Sequence, residues 1–344
     1  MDPLTHAFLG GTVAHAGFKD RLGSRAVWLG ALAAMLPDID ILAILPMGTW
    51  GEFVYHRGLT HSLGFGPIVG LLLGYTTWRW HQRRGEAAAH TLKIWIGLFV
   101  LTLLSHPLLD AFTSYGTQLL APFSNDRFAW DAVPILDPFY SFLLLIPLMI
   151  GARKQIASKI KIGVAISALL LSTAYLFYGL SLNLRAEKEA ARQLSMEETP
   201  ASQIQSYPTL LQVFLRRIVV RRPEEILVGH LSLWKSHSMD WQTYIPPQHS
   251  LIDKLCRTRE GEIFTWFSMG QIVPHLLKKG DGFVVELDDI RYGLPETPDR
   301  GLWGIRAEFD SQGDLAGPIV RFNHPRPKDP LKLLHQLFLT TFRG

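Results

Sequence analysis

HRGLTHS at residues 56–62 stands with three other polar motifs, LTHAF at 4–8, LPDID at 36–40 and SHPLLDAFTSYG at 105–116, and each is embedded in apolar sequence. Together they place His6, Asp38, Asp40, His56, His61, His106 and Asp110 in a hydrophobic setting. An ionised Asp near a bilayer centre costs about 2.5–3.5 kcal/mol on insertion scales, so three uncompensated ones would consume most of a small domain's stability. A divalent metal compensates them, because imidazole and carboxylate are ligands that zinc, manganese and iron accept. Filling such a site releases on the order of 10 kcal/mol. Zinc is the first expectation, with manganese or iron as alternatives.

Composition points to a membrane as the surroundings. The chain is 48% hydrophobic and only 19% charged, with a mean hydropathy of +0.14. The bias is uneven: residues 1–184 hold 13 Lys and Arg with 10 Asp and Glu, whereas residues 185–344 hold 21 and 20. Apolar runs at 26–46, 62–80, 93–112, 137–152 and 160–183 are expected membrane helices, and 4–18 a retained short helix without the basic start of a signal peptide. The expected fold is an α-helical integral membrane bundle over 1–184, a charged helical stalk over 185–203 and a small β-rich soluble domain over 204–344.

Basic residues fix an orientation. Lys19, Arg21 and Arg25, then Arg79, Arg83, Arg84 and Lys93, then Arg153, Lys154, Lys159 and Lys161 occupy three turns, whereas the intervening turns carry only Arg57 and Arg127. The basic turns therefore belong in the cytoplasm. Every polar motif then lies toward the opposite face, as does the C-terminal half, so an inner-membrane protein with an extracytoplasmic site is expected.

The spacings have local meaning. His106 and Asp110 are i,i+4 and share one helical face. Pro107 between them frees the Leu103 carbonyl and bends the helix. Asp38 and Asp40 are two apart, which aims them roughly 200° from each other on a regular helix, so Pro37 marks a distortion and one of them need not be a ligand. His56 and His61 flank Gly58, which suits a turn entering a helix. Ser105, Thr60 and Thr5 each precede a histidine and are candidates to orient it.

Plainer readings stand beside these. His15, His81 and His90 read as structural or interfacial, His6 as part of a capped helix start, and HRGLTHS as a lipid-headgroup contact. A turn and a helix cap account for Asp131 and Asp137. The joint pattern of seven residues favours metal.

The motifs MDPLTHAFLG, LPDID, HRGLTHS and SHPLLDAFTSYGTQLLAPFS over residues 1–150 resemble the membrane-bound metal-dependent hydrolase family, the YdjM-type or LexA-regulated inner-membrane hydrolases. That resemblance implies a bacterial or archaeal integral membrane protein that uses metal held by these His and Asp residues for hydrolysis. A fainter similarity runs to zinc-dependent phospholipase C enzymes.

No HExxH, GxSxG or cysteine nucleophile occurs in the membrane half, so metal-activated water attacking an ester or phosphoester remains. His6, His61, His106 and Asp110 are expected as ligands, with Asp38 or Asp40 as ligand or general base. His56 is assigned to a second metal or the leaving group. Seven candidates exceed the usual three protein ligands of a catalytic ion, so two ions about 3.5–4 Å apart also fit. A site at the outer leaflet with Arg57 nearby favours a lipid or lipid-linked substrate, and no basic stripe interleaved with aromatics suggests nucleic acid. The alternatives are a metal-ion transporter or sensor, against which the lack of an internal repeat counts, and a non-catalytic assembly protein with a structural metal.

Beyond residue 203 the segments LQVFLRRIVVR, EILVGHLSLW, GEIFTWFSM, GFVVELDDIRYG, LWGIRAEFD and PIVRFNH read as strands separated by turn residues, followed by a short helix at 330–342. Lone Cys256 excludes an intramolecular disulfide.

Overall fold

Apolar helices fill the first half of the chain because its long runs of Leu, Ile, Val, Ala and Phe carry few residues that compete for backbone hydrogen bonds. The computed structural model describes residues 1–44, 46, 48–86, 91–194, 203–234, 239–325 and 329–342, so His90 lies outside the described residues. It divides into two units, Met1–Leu180 with Leu210–Gln212, and Ser181–Thr209 with Val213–Gly344.

In the first unit, α1 (Pro3–Gly17) starts at Asp2, whose side chain accepts from the Thr5 backbone N–H. The short α2 (Lys19–Leu22) leads into α3 (Arg25–Met35). The run at 26–46 is broken by a 3-10 turn over Leu36–Ile39 before α4 (Asp40–Ile44), so LPDID is distorted at Pro37. After α5 (Thr49–Tyr55) the chain turns through His56–Gly58 and a 3-10 turn, Leu59–His61, into α6 (Phe65–Arg83). Then come α7 (Leu92–Ala111), which contains Pro107, α8 (Pro138–Ala152) and α9 (Ser158–Leu194), whose residues from Ser181 on belong to the second unit.

Among the described residues, α7 and α9 are the helices long and apolar enough to cross a membrane, and α8 is a shorter apolar helix. Asp137 caps α8 by accepting from the Tyr140 N–H at 3.0 Å and takes the Tyr175 hydroxyl at 2.8 Å, the structural role a cap predicts.

Close packing in this unit depends on missing side chains. A Cβ on Gly10 would stand 2.3 Å from the Gly30 carbonyl oxygen, and one on Gly30 2.6 Å from the Ala14 Cβ, so α1 and α3 meet backbone to backbone. Gly66, Gly70 and Gly74 form a stripe along α6 where added Cβ atoms would lie 2.9, 2.7 and 2.6 Å from Leu104, Val100 and Ile96 of α7. Small residues four apart allow helices to approach this closely.

In the second unit, β1 (Gln203–Pro208), β2 (Leu215–Arg221), β3 (Ile226–Ser232) and β4 (Gln242–Tyr244) form one antiparallel sheet in sequence order. β5 (Ile272–Lys279), β6 (Gly282–Asp289), β7 (Trp303–Phe309) and β8 (Val320–Asn323) form another. Alternation sorts β2: Ile218 and Val220 pack with Ala186, Ala190 and Leu194 from the end of α9, whereas Val219 packs with Val273 and Ile290. The charged stretch after residue 184 thus continues α9 to Leu194 with small apolar residues on one face.

One expected strand is a helix. GEIFTWFSM at 261–269 falls largely in α11 (Arg259–Phe267), which follows α10 (Ser250–Cys256). Thr258 caps α11 by accepting from the Gly261 N–H, Glu260 and Glu262 suit its N-terminal dipole, and Phe264 and Phe267 share its buried face. Cap and period outweigh the strand propensity of Ile, Phe, Thr and Trp. The last helix is α12 (Pro330–Phe342).

The first sheet carries a titratable pair. Arg217 lies opposite His230 across β2 and β3, and burial followed by the Arg217 charge pushes the His230 imidazole down to about 3. An unfolded chain binds a proton near pH 6.5 that the folded sheet refuses, so stability rises with pH across this interval. The sheet is therefore expected to lose stability as pH falls from about 6.5 toward 3, and His230→Leu to flatten the slope. Amide hydrogen exchange over residues 226–232 of the full chain measures this; an unchanged slope in the variant would refute it.

Candidate metal centre

His6 and His106 come from the interiors of α1 and α7, His61 from the 3-10 turn before α6, Asp38 from the turn after α3, and Asp110 from the last turn of α7. His6, His61, His106 and Asp110 are all fully buried. The Pro37 turn sends Asp38 and Asp40 in different directions, and the Pro107 helix carries His106 and Asp110 on one side.

The hydrogen bonds fix both central imidazoles. His106 Nδ1 lies 2.6 Å from the Ala34 carbonyl oxygen, which only accepts, so Nδ1 carries the proton. The Thr60 hydroxyl donates to Asp40 Oδ2 at 3.0 Å and accepts from His61 Nδ1 at 3.0 Å, while Asp40 Oδ2 lies 3.4 Å from the same nitrogen. Both Nε2 atoms thus present lone pairs, and they face each other at 3.0 Å. Asp38 Oδ1 lies 3.3 Å from His61 Nε2 and 3.4 Å from His106 Nε2. Asp110 Oδ2 lies 3.5 and 3.4 Å from the same two atoms and has no hydrogen-bond partner.

Four acceptors gathered this way repel one another unless a proton or a metal cation sits among them. Ligands at 2.0–2.2 Å around a tetrahedral zinc stand about 3.3–3.5 Å apart, close to these separations. The donor set of two imidazoles and two carboxylates suits zinc, manganese or iron.

His6 stacks on His106 with ring centroids 3.6 Å apart, its Nε2 is 3.2 Å from Asp110 Oδ1, and its buried Nδ1 has no partner. His6, His106 and Asp110 form one group able to hold a metal, and Asp38, His61 and His106 another. The Met1 amine also pairs with Asp110 Oδ1.

Asp40, expected as ligand or base, stands behind His61 on its Nδ1 side. Its oxygens take His56 Nδ1 at 3.0 Å, the Arg57 backbone N–H at 3.2 Å and the Thr60 hydroxyl. Its geometry is that of an orienting carboxylate. Asp40→Asn is expected to weaken metal affinity about 10–100-fold with the fold retained, measured by competition with a chromophoric chelator. Unchanged affinity would remove Asp40 from that role.

His56 lies to one side, edge-on to His61 at 5.7 Å between centroids and to Tyr115 at 5.6 Å. Of the three hydroxyls flagged by sequence, Thr60 orients a histidine, whereas Ser105 bonds the Thr102 carbonyl and Thr5 bonds Asp2 and Ser141. No motif signals the Ala34 carbonyl, nor the roles of Thr113 and Tyr115, which hold Arg57. His15 pairs with Lys19, and His81 pairs with Glu86 and stacks on Trp95, so both are structural.

The chain belongs to the YdjM inner membrane protein family, whose profile matches residues 1–186. It is 36% identical over 115 residues to "Inner membrane protein YbcI" of Escherichia coli (strain K12), covering 32% of this chain and 62% of that protein. It is 28% identical over 149 residues to "Uncharacterized protein YfhP" of Bacillus subtilis (strain 168), covering 40% of this chain and 42% of that protein. The chain therefore spans less than two thirds of these relatives. No solved structure matches it.

Proposed function

We propose that this inner-membrane protein is a metal-dependent hydrolase that cleaves an ester or phosphoester of a lipid or lipid-linked substrate. The observation that carries this reading is the pair of imidazole lone pairs 3.0 Å apart, flanked by Asp38 and Asp110. His61, His106, Asp38 and Asp110 hold the ion, with His6 against Asp110. A divalent ion there supplies Lewis acidity and brings the ionisation of water toward neutral pH.

Protons are handled by His56. Its Nδ1 donates to Asp40, which leaves Nε2 to accept one. Water's oxygen forms the new bond to phosphorus or carbonyl carbon, its proton goes to His56 Nε2, and that proton then passes to the departing ester oxygen. Asp40 holds the imidazole in this tautomer.

Membrane placement supports a lipid substrate. Trp28, Leu32, Ile68, Leu72, Phe142 and Met149 expose large apolar side chains on α3, α6 and α8, as a multi-pass bundle surrounded by lipid would. The eleven basic residues of three turns against two elsewhere support a site and a C-terminal half on the extracytoplasmic side. Alkaline phosphatase fused to the C-terminus is expected to be active, and an inactive but stable fusion would reverse the orientation.

The direct test is turnover by purified zinc- or manganese-loaded protein on phospholipids, lipid pyrophosphates and generic esters. His56→Ala is expected to keep its metal and lose about 10²–10⁴-fold in rate. A loaded protein that cleaves none of these would refute the hydrolase reading.

A further inference from the structure

We infer that Arg57 is the anion-recognising residue of this site and narrows its substrates to those bearing a phosphate; this rests on the hydrolase reading for where the reacting group lies. Arg57 is one of four described non-glycine residues at positive φ, with φ 59°. A non-glycine residue there is strained by on the order of 1 kcal/mol or more, so the surroundings must hold it. They do: its N–H donates to Asp40, and its carbonyl accepts from the Gln118 N–H at 2.9 Å. That turn sends the side chain inward, to 4% exposure.

Inside, the guanidinium is held loosely for a buried charge. Nη1 donates to the Thr113 hydroxyl at 2.9 Å, and Nη2 reaches a single Asp110 oxygen at 3.3 Å. Buried Nε has no hydrogen-bond partner. The guanidinium carbon lies 4.7 Å from the centre of the Tyr115 ring, with the Arg127 guanidinium 5.6 Å from that ring. A structural arginine would use its fork bidentately on a carboxylate. Here one contact is long and one donor is idle, beside the carboxylate whose other oxygen faces both Nε2 atoms. A planar guanidinium with unused N–H groups matches phosphate oxygens, whereas a neutral carboxylic ester offers it no charge to pair with.

Phosphate could arrive on a lipid or on a soluble molecule, and binding separates the two. Zinc-loaded full-length protein in detergent is titrated calorimetrically with inorganic phosphate, with dihexanoyl phosphatidate and with acetate, and zinc content is measured on the same samples. Wild type is expected to bind phosphate or phosphatidate but not acetate. Arg57→Gln should weaken that binding tenfold or more at unchanged zinc content, and Arg57→Lys should lose less. Tighter binding of phosphatidate names a lipid source, and equal binding a soluble one. Undiminished binding in Arg57→Gln, equal binding of acetate, or loss of zinc from the variant overturns the inference. Phosphate binding without turnover would sink the hydrolase reading alone, whereas Arg57-independent cleavage of neutral esters would sink this inference alone.

Discussion

His106→Ala is expected to reduce the metal content of the purified protein to background, the largest effect of any single change in the chain. Its Nε2 lies within 3.0–3.4 Å of His61, Asp38 and Asp110, and it belongs to both groups of residues able to hold a metal. Loss of an outer partner of a metal ligand costs about 10–100-fold in affinity, and loss of a ligand shared by both groups should cost more. Because metal binding stabilises only the folded state, the variant should also melt at the temperature of chelator-treated wild type. His15→Ala is the matched control, a buried histidine whose partner is Lys19. Elemental analysis decides the matter: metal at the wild-type level in His106→Ala would dissolve the proposed centre.

Gly70→Leu is expected to impair the same centre without altering any ligand. A Cβ at residue 70 would already stand 2.7–2.8 Å from the Val100 Cγ2, Cα and N, two of which are backbone atoms that cannot rotate away. Overfilling a packed contact typically costs about 1–3 kcal/mol, and a larger branched group against backbone belongs at the upper end. Relief requires α6 and α7 to separate. His61 lies shortly before α6 and His106 lies on α7, so separation draws apart the two imidazoles that face each other at 3.0 Å. Both thermal stability and metal content should fall, with Gly70→Ala intermediate. Leu72→Ala, at an exposed position on the same helix, should leave both near wild type. A Gly70→Leu protein with full metal content would show that α6 packing does not set the site.

What the sequence revealed depended on how local each determinant is. The distortion at Pro37, the turn through Gly58 and the shared face of His106 and Asp110 are written in neighbouring residues. The division of labour between Asp38 and Asp40 is not, because which carboxylate meets an Nε2 depends on where His61 and His106 stand, 20 to 70 residues away. Likewise Arg57 read as a residue at the membrane mouth, and only its positive φ and the Thr113 hydroxyl bring it indoors. In the second half, GEIFTWFSM has the composition of a strand, and its helix follows from a capping threonine three residues upstream of it.

The proposed metal ligands are drawn from residues 6 to 110, contributed by α1, the turn after α3, the turn before α6, and α7. No earlier portion of a nascent chain contains the full set, so on the metal-dependent reading a complete site forms only after α7 has emerged and docked. Loading would then be a late, post-insertional event, because Asp38 meets its His106 partner only once α7 is in place.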